Sequence, residues 1–231
     1  MVSLAILLPH LKTPINDEAL KITIWSIQTR TCSDLNVKLI LEEESIPGRT
    51  DPYKVWNEMA KSSDAEYIFF GNSDMPFATG WDQVIYDEIE KFKPKNDGLD
   101  MRFIMGWLVE PGAIGVHPKN IHHEVGFCPR CFRREQFELF ALDKKREHPD
   151  RINEMAFTIP SVISRRTFIN FGMFNTNKGF MAAPHDLEFT DKLMGGGGIP
   201  VRIPFFCYHF QNLSRRKNRC ACYQQESTRI E

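Results

Sequence analysis

The sequence predicts an α/β protein, built on a mostly parallel, doubly wound sheet with helices on both faces. Two observations predict it. Strand-like and helix-like segments alternate through the first 92 residues, the pattern of right-handed crossovers. One stretch, Tyr67-Ile68-Phe69-Phe70, is apolar without alternation, as a strand buried on both faces must be. That run stops on Gly71-Asn72-Ser73-Asp74. Ligands of open α/β sheets collect outside the carboxyl ends of the strands. The cluster is therefore a candidate site for a metal and a phosphate, and also an ordinary turn signal.

The elements follow in order. Leu4–Leu8, closed by Pro9, is a first strand; the apolar start from Met1 lacks the basic residues and cleavage site of a signal peptide. Asn16 or Asp17 caps a helix carrying Ile22, Trp25 and Ile27 to about Thr29. Val37–Leu41 is the second strand and runs into Glu42-Glu43-Glu44-Ser45, with a turn at Pro47-Gly48. Asp51-Pro52 reads as a cap with proline at the first helical position, ahead of Val55, Met59 and Ala60. After the Tyr67 strand, Thr79 or Gly80 opens a helix with Trp81, Val84, Ile85 and Ile89 at helical spacing.

The second half is less regular. Met101–Val109 reads as a strand. Residues 111–133 have no period and hold His117, His122, His123, Cys128 and Cys131. Arg134–Lys145 is helical, Ser161–Ser164 is a short strand, and Arg166–Phe171 is a helix closed by Gly172. His185–Met194 is a helix that stops on four glycines. Pro200 and Pro204 mark Ile199–Phe206 as an edge or irregular strand. There is no internal repeat and no linker, so residues 1–231 form a single domain.

Bulk properties exclude some classes. A formal net charge of -1 gives no global electrostatic case for nucleic acid or a membrane surface. No apolar run reaches the length of a membrane span. Six cysteines without a secretion signal point to reduced thiols or metal binding, and a cytoplasmic location is the expectation.

The succession of motifs resembles the inverting nucleotide-sugar glycosyltransferases of family 2. Ser26-Ile27-Gln28-Thr29 is similar to that family's Ser-Leu-x-x-Gln-Thr. Glu42-Glu43-Glu44-Ser45 stands where Asp-Asp-Gly-Ser is usual, and Asn72-Ser73-Asp74 where Asp-x-Asp is usual. Arg166 with Phe171-Gly172-Met173-Phe174-Asn175 resembles Arg…Gly-Gly-Phe-Asp/Glu. His185-Asp186-Leu187-Glu188 resembles Glu-Asp-x-Asp, and Tyr208-His209 follows the last strand, where many members carry a histidine. The resemblance covers most of the chain and is weakest over residues 95–155.

It implies a GT-A-type three-layer α/β/α sandwich. Residues 1–92 would be the nucleotide-binding half. Residues 93–231 would be the acceptor half, with a Cys/His-containing insertion at about 111–133. It implies transfer of a sugar from a nucleoside-diphosphate donor to an acceptor hydroxyl with inversion, assisted by Mn²⁺ or Mg²⁺. The acceptor class stays open among saccharide, protein and modified nucleic-acid base. Asp74 and His209 would hold the metal. Pro9, His10, Glu43, Arg49, Asn57, Asn72, Ser73 and Asp74 would line the nucleotide-sugar site, with a carboxylate at Glu43 favouring uracil or thymine over cytosine. Asp186 would be the catalytic base, with His185 sharing that duty or binding the acceptor. Asn72 departs from the motif and removes one charge from the metal site.

Two other readings remain. A nucleotidyltransferase of similar sheet would need a glycine-rich loop after the first strand, which Pro9-His10-Leu11-Lys12-Thr13-Pro14 does not supply. A non-catalytic nucleotide-sugar or saccharide-binding module would tolerate the departures at Asn72 and His185. The family does not explain Cys128-Pro129-Arg130-Cys131 and Cys220-Ala221-Cys222. Together they are the raw material of a structural zinc site; unrelated thiols or a local disulfide are the alternatives.

Overall fold

The computed structural model describes residues 1–29, 31–32, 34–44, 51–94, 98–112, 120–153, 159–176, 185–210 and 222. Its elements are β1 (Val2–Leu11), α1 (Pro14–Gln28), β2 (Leu35–Glu44), α2 (Pro52–Ser62), β3 (Tyr67–Phe70), α3 (Trp81–Phe92) and β4 (Arg102–Glu110). They continue with β5 (Ile121–His122), α4 (Arg134–Glu147), β6 (Ile152–Asn153), β7 (Ser161–Ser164), α5 (Arg165–Asn170), α6 (His185–Gly195) and β8 (Ile199–Tyr208).

The strands form one sheet in the order β2-β1-β3-β7-β4-β8-β6, with β5 on the end of β4. β1 runs parallel to β2 and β3, and β4 runs parallel to β8. β7 lies antiparallel between β3 and β4, so these two point the same way. The carboxyl ends of β1, β2, β3, β4 and β8 therefore share one edge. Side chains of α1, α3 and α4 pack on one face of the sheet. Those of α2, α5 and α6 pack on the other, giving three layers. β3 is buried at every position, as its unbroken apolar run requires.

The start of α1 and the setting of the last strand refine the sequence reading. α1 is capped by Thr13, whose hydroxyl accepts from the Asn16 N–H at 3.3 Å, with Pro14 at the first position. Asn16 and Asp17 are already inside the helix: the Asn16 amide donates to the Leu11 carbonyl at 2.9 Å, and Asp17 turns to His10. Of the two readings of the last strand, edge or irregular, the second holds. β8 is ten residues long and lies between β4 and β6. Its prolines are tolerated because, among the described residues, β6 pairs with Val201 and Arg202 and not with Pro200 or Pro204. On the β4 side the register shifts, from Met105 opposite Arg202 to Trp107 opposite Phe206. Pro204 falls in that bulge, and Phe205 fills the space that a side chain on Gly106 would need.

The loop after α5 explains a motif position. Gly172 and Met173 both take left-handed backbone angles, with φ of 81° and 60°. A glycine pair suits such a turn, and Met173 occupies the second place at a steric cost of roughly 1–2 kcal/mol. The turn delivers Phe174 to the amide of Asn57. That side chain donates to the Phe174 carbonyl at 2.8 Å and accepts from its N–H at 3.1 Å.

At the amino end of β4, buried Arg102 gathers four partners. Its guanidinium donates to Asp100 (Nε to Oδ1, 2.8 Å), to the Glu88 carboxylate at 3.3 Å, and to the backbone carbonyls of Glu88 and Ile89. Tyr67 donates its hydroxyl to Asp100 at 2.8 Å. Burial pushes the Glu88 carboxyl up from its ordinary pKa, against the pull of Arg151 and Arg102. Arg102→Met is expected to strand these acids and to destabilise the fold by about 3–5 kcal/mol, read from the urea midpoint at unchanged m-value.

Candidate active site at the carboxyl edge of the sheet

Three strand ends meet at the shared carboxyl edge. The segment after β3 does not leave the sheet at once but runs beside the end of β8. Ala78 N–H donates to the Phe206 carbonyl, Tyr208 N–H to Pro76, and Phe210 N–H to Asp74. Phe77 forms an antiparallel bridge with Cys207. On the other side His209 N–H donates to the Val109 carbonyl at 2.9 Å. These backbone bonds place Asp74, Glu110 and His209 together.

His209 Nε2 lies 3.6 Å from Asp74 Oδ2, and its Nδ1 lies 3.0 Å from Glu110 Oε1. Asp74 and His209 are 17% and 19% exposed at the side chain, open enough for a ligand to reach, whereas Glu110 is 7% exposed. The other Glu110 oxygen accepts from the Asn120 amide at 2.9 Å. Glu110 thus holds one ring nitrogen of His209 and turns the other toward Asp74, as carboxylates do behind metal-binding histidines. At 3.6 Å the Asp74–His209 pair is too long for a hydrogen bond. One carboxylate oxygen and one imidazole nitrogen suit Mn²⁺, and less closely Mg²⁺. As ligands, the two side chains would leave further positions open to phosphate oxygens and water.

His10 anchors the same loop from beneath. It is 1% exposed, with Nδ1 3.0 Å from Ser73 Oγ and Nε2 2.8 Å from Asp17 Oδ1. It therefore sets the height of the Asn72-Ser73-Asp74 loop against β1 and α1, and Ser73 is turned inward by that bond. Asn72 is partly exposed beside them. Across the sheet edge, the Pro9 and His10 backbones are level with Glu42 and Glu43 of β2. The Glu43 side chain and all of Arg49 lie outside the described residues.

A second cluster forms where the starts of α2 and α6 meet. Each helix precedes a strand that points to the carboxyl edge, so each begins at that edge. Asp51 caps α2 by accepting from Tyr53 N–H at 3.0 Å. His185 is fully buried, with Nε2 3.9 Å from Asp51 Oδ2 and its ring edge-on to Tyr53 at 5.0 Å. Burial first, then the charges of Asp186 and Asp51, push the Tyr53 hydroxyl well above its usual pKa, so it stays neutral. Asp186 is half-exposed, and its Oδ1 accepts from Leu187 N–H at 2.9 Å in the first turn of α6. An aromatic layer links this cluster to the Asn72-Ser73-Asp74 loop. Tyr53 packs on Trp56 at 5.4 Å, and Trp56 Nε1 donates to the Gly71 carbonyl, next to Asn72.

The structure thus brings Asp74 beside His209 and sets Asp186 at the same edge. It turns His10, Ser73, Asn57 and His185 inward. Sequence reading missed Glu110, Asp17, Asp51 and Tyr53. Glu110 closes an apolar strand as the polar cluster closes β3, but without the pairing of β4 with β8 nothing singles it out. On the far side of the edge, Cys128, Cys131 and Cys222 also come together, while Cys220 lies outside the described residues.

No protein-family profile matches the chain, and no curated protein matches it in sequence. Solved structures do match. One is a crystal structure of GalNAc-T7 with UDP, GalNAc and Mn²⁺, with a TM-score of 0.58 over 90% of this chain at 10% identity. The fold is GT-A-like. The chain spans 44% of the length of that neighbour.

Proposed function

We propose that this GT-A-like chain is a metal-assisted glycosyltransferase. It would move a sugar from a nucleoside diphosphate, UDP favoured, to an acceptor hydroxyl with inversion at the anomeric carbon. The observation that carries this reading is Asp74 set against His209, with Glu110 orienting the imidazole, at the carboxyl edge of the sheet. The neighbour of similar fold, crystallised with UDP and Mn²⁺, supports it.

In this reading Asp74 and His209 hold the ion. When bound, the ion offsets the charge that builds on the departing diphosphate. The chain's own residues do the rest. His10 and Ser73 fix the loop that presents Asp74. Pro9 and Glu43, at the ends of β1 and β2, flank the base, and Asn72 offers an amide to the ribose or to a metal-bound water. Arg49 is proposed for a phosphate. Asp186 takes the proton from the acceptor hydroxyl as that oxygen attacks the face opposite the diphosphate. His185 and Asn57 act behind the site, holding Asp51, Tyr53 and the Phe174 turn in place.

The nucleotidyltransferase reading loses support from the geometry. β1 ends at Leu11 and α1 begins at Pro14, leaving no loop to wrap a triphosphate. The binding-module reading predicts affinity without turnover. A panel of nucleotide sugars, tested by thermal shift with and without Mn²⁺ and then for transfer or donor hydrolysis, separates the two. UDP-sugars with Mn²⁺ are expected to raise Tm most, by about 5–10 °C at a hundred times Kd. Turnover should accompany that shift. No stabilisation by any nucleotide sugar would reject the proposal, and stabilisation without turnover would favour the module.

A further inference from the structure

The aperiodic segment after β4 carries chemistry that sugar transfer does not use. Cys128 and Cys131 flank a 3-10 turn, Pro129–Cys131, and their sulfurs lie 3.2 Å apart. That is far beyond the roughly 2.05 Å of a disulfide. The Cys128 N–H donates to Cys131 Sγ at 3.3 Å, an arrangement that stabilises negative charge on sulfur. Cys222 reaches the same point from the far end of the chain, and the three sulfurs all lie within 4.8 Å of one another. Sulfurs on a tetrahedral zinc, each about 2.3 Å from it, are spaced by about 3.8 Å, so small rotamer changes suffice to admit the ion. Cys128 is buried, and Cys131 and Cys222 are half-buried, so the cluster is closed on one side.

We infer that Cys128, Cys131 and Cys222 supply three of the four ligands of a structural zinc site that staples Cys222 to the knuckle at 128–131. Soft thiolates select zinc over the hard cations suited to the Asp74 site, so Mn²⁺ and Mg²⁺ do not compete for the cysteines. The knuckle is tied into the fold from two sides. Arg130 makes a two-pronged ion pair with Glu18 of α1, at 2.6 and 2.9 Å. Tyr208 donates its hydroxyl to the Gly126 carbonyl at 2.8 Å, and Tyr208 is the residue before His209. Cys131 and Cys222 pack against the cluster that holds Tyr208 and Phe210, so the staple bears on the end of β8, from which His209 projects.

The test uses the full chain purified without chelator. Elemental analysis after exhaustive dialysis should find about one zinc per chain, and replacement with Co²⁺ should give the intense sulfur-to-cobalt band of a thiolate-rich tetrahedral site. Cys128→Ser and Cys222→Ser should each lose the metal. Should either fail to fold, chelation of the wild-type protein is the second measurement. Stripping zinc while Mn²⁺ is kept in excess should lower Tm by about 5–10 °C and should be reversed by zinc alone. A metal-free, folded protein with freely titrating thiols would overturn the site. So would a mass lighter by one pair of hydrogens, marking a Cys128–Cys131 disulfide, or bound zinc whose removal leaves Tm unchanged.

Discussion

Asp74→Ala is expected to lower kcat/KM for sugar transfer by about 10²–10³-fold, the equivalent of roughly 3–4 kcal/mol of leaving-group stabilisation. It should also make UDP binding indifferent to Mn²⁺. The fold should survive, because the contact that places this residue is made by its backbone carbonyl with Phe210 N–H. Asn72→Asp provides the opposite arm: a second carboxylate beside the first should tighten Mn²⁺ binding. Titration of Mn²⁺ into the UDP-saturated protein, followed by electron paramagnetic resonance, reads both variants. Full activity in Asp74→Ala would remove this residue from the metal site.

Asp186→Asn is expected to cost about 10²–10⁴-fold in kcat, the usual worth of a positioned general base. The amide keeps the size of the side chain and an oxygen that accepts from Leu187 N–H, so the helix start is preserved. Donor affinity should change little, since the base acts on the acceptor. Tyr53→Phe is the control from the same cluster: its neutral hydroxyl has no proton to take up, so it should leave the pH profile of transfer in place. His185→Ala is the competing variant. His185 is fully buried against Tyr53, so its loss should show first as lower stability. A larger fall in kcat with His185→Ala than with Asp186→Asn, at matched stability, would transfer the base to the imidazole. The anomeric configuration of the product, read by NMR, tests inversion separately.

Much of the fold was readable because its signals are local. The β3 run lacks alternation, Asp51-Pro52 carries a helix start in two residues, and the glycines after α6 end it. Of the two readings of β8, edge or irregular, only the irregular one holds, because prolines report only that a strand lacks hydrogen bonds somewhere. They do not say that a bulge against β4 and a two-residue β6 would supply the gap. The gathering of residues at the carboxyl edge was legible where a motif spaced them, as for Asp74, Asp186 and His209. It was not legible where one polar side chain depends on tertiary contact. Nothing in the sequence around His10 shows that it would be buried between Ser73 and Asp17. Nothing around Asn57 announces the Phe174 backbone, 117 residues away, as its partner. Glu110 stands one residue past an apolar run with no motif of its own, and only the pairing of β4 with β8 makes it the partner of His209.

The metal-bound nucleotide at the carboxyl edge is tested most directly by anomalous diffraction. Crystals of the full chain would be grown with UDP and Mn²⁺, and data collected on both sides of the manganese edge. A manganese peak between the Asp74 carboxylate and His209 Nε2, with the diphosphate completing its ligands, is the predicted result. UDP bound with no manganese between those two side chains, or manganese bound elsewhere on the chain, would contradict it.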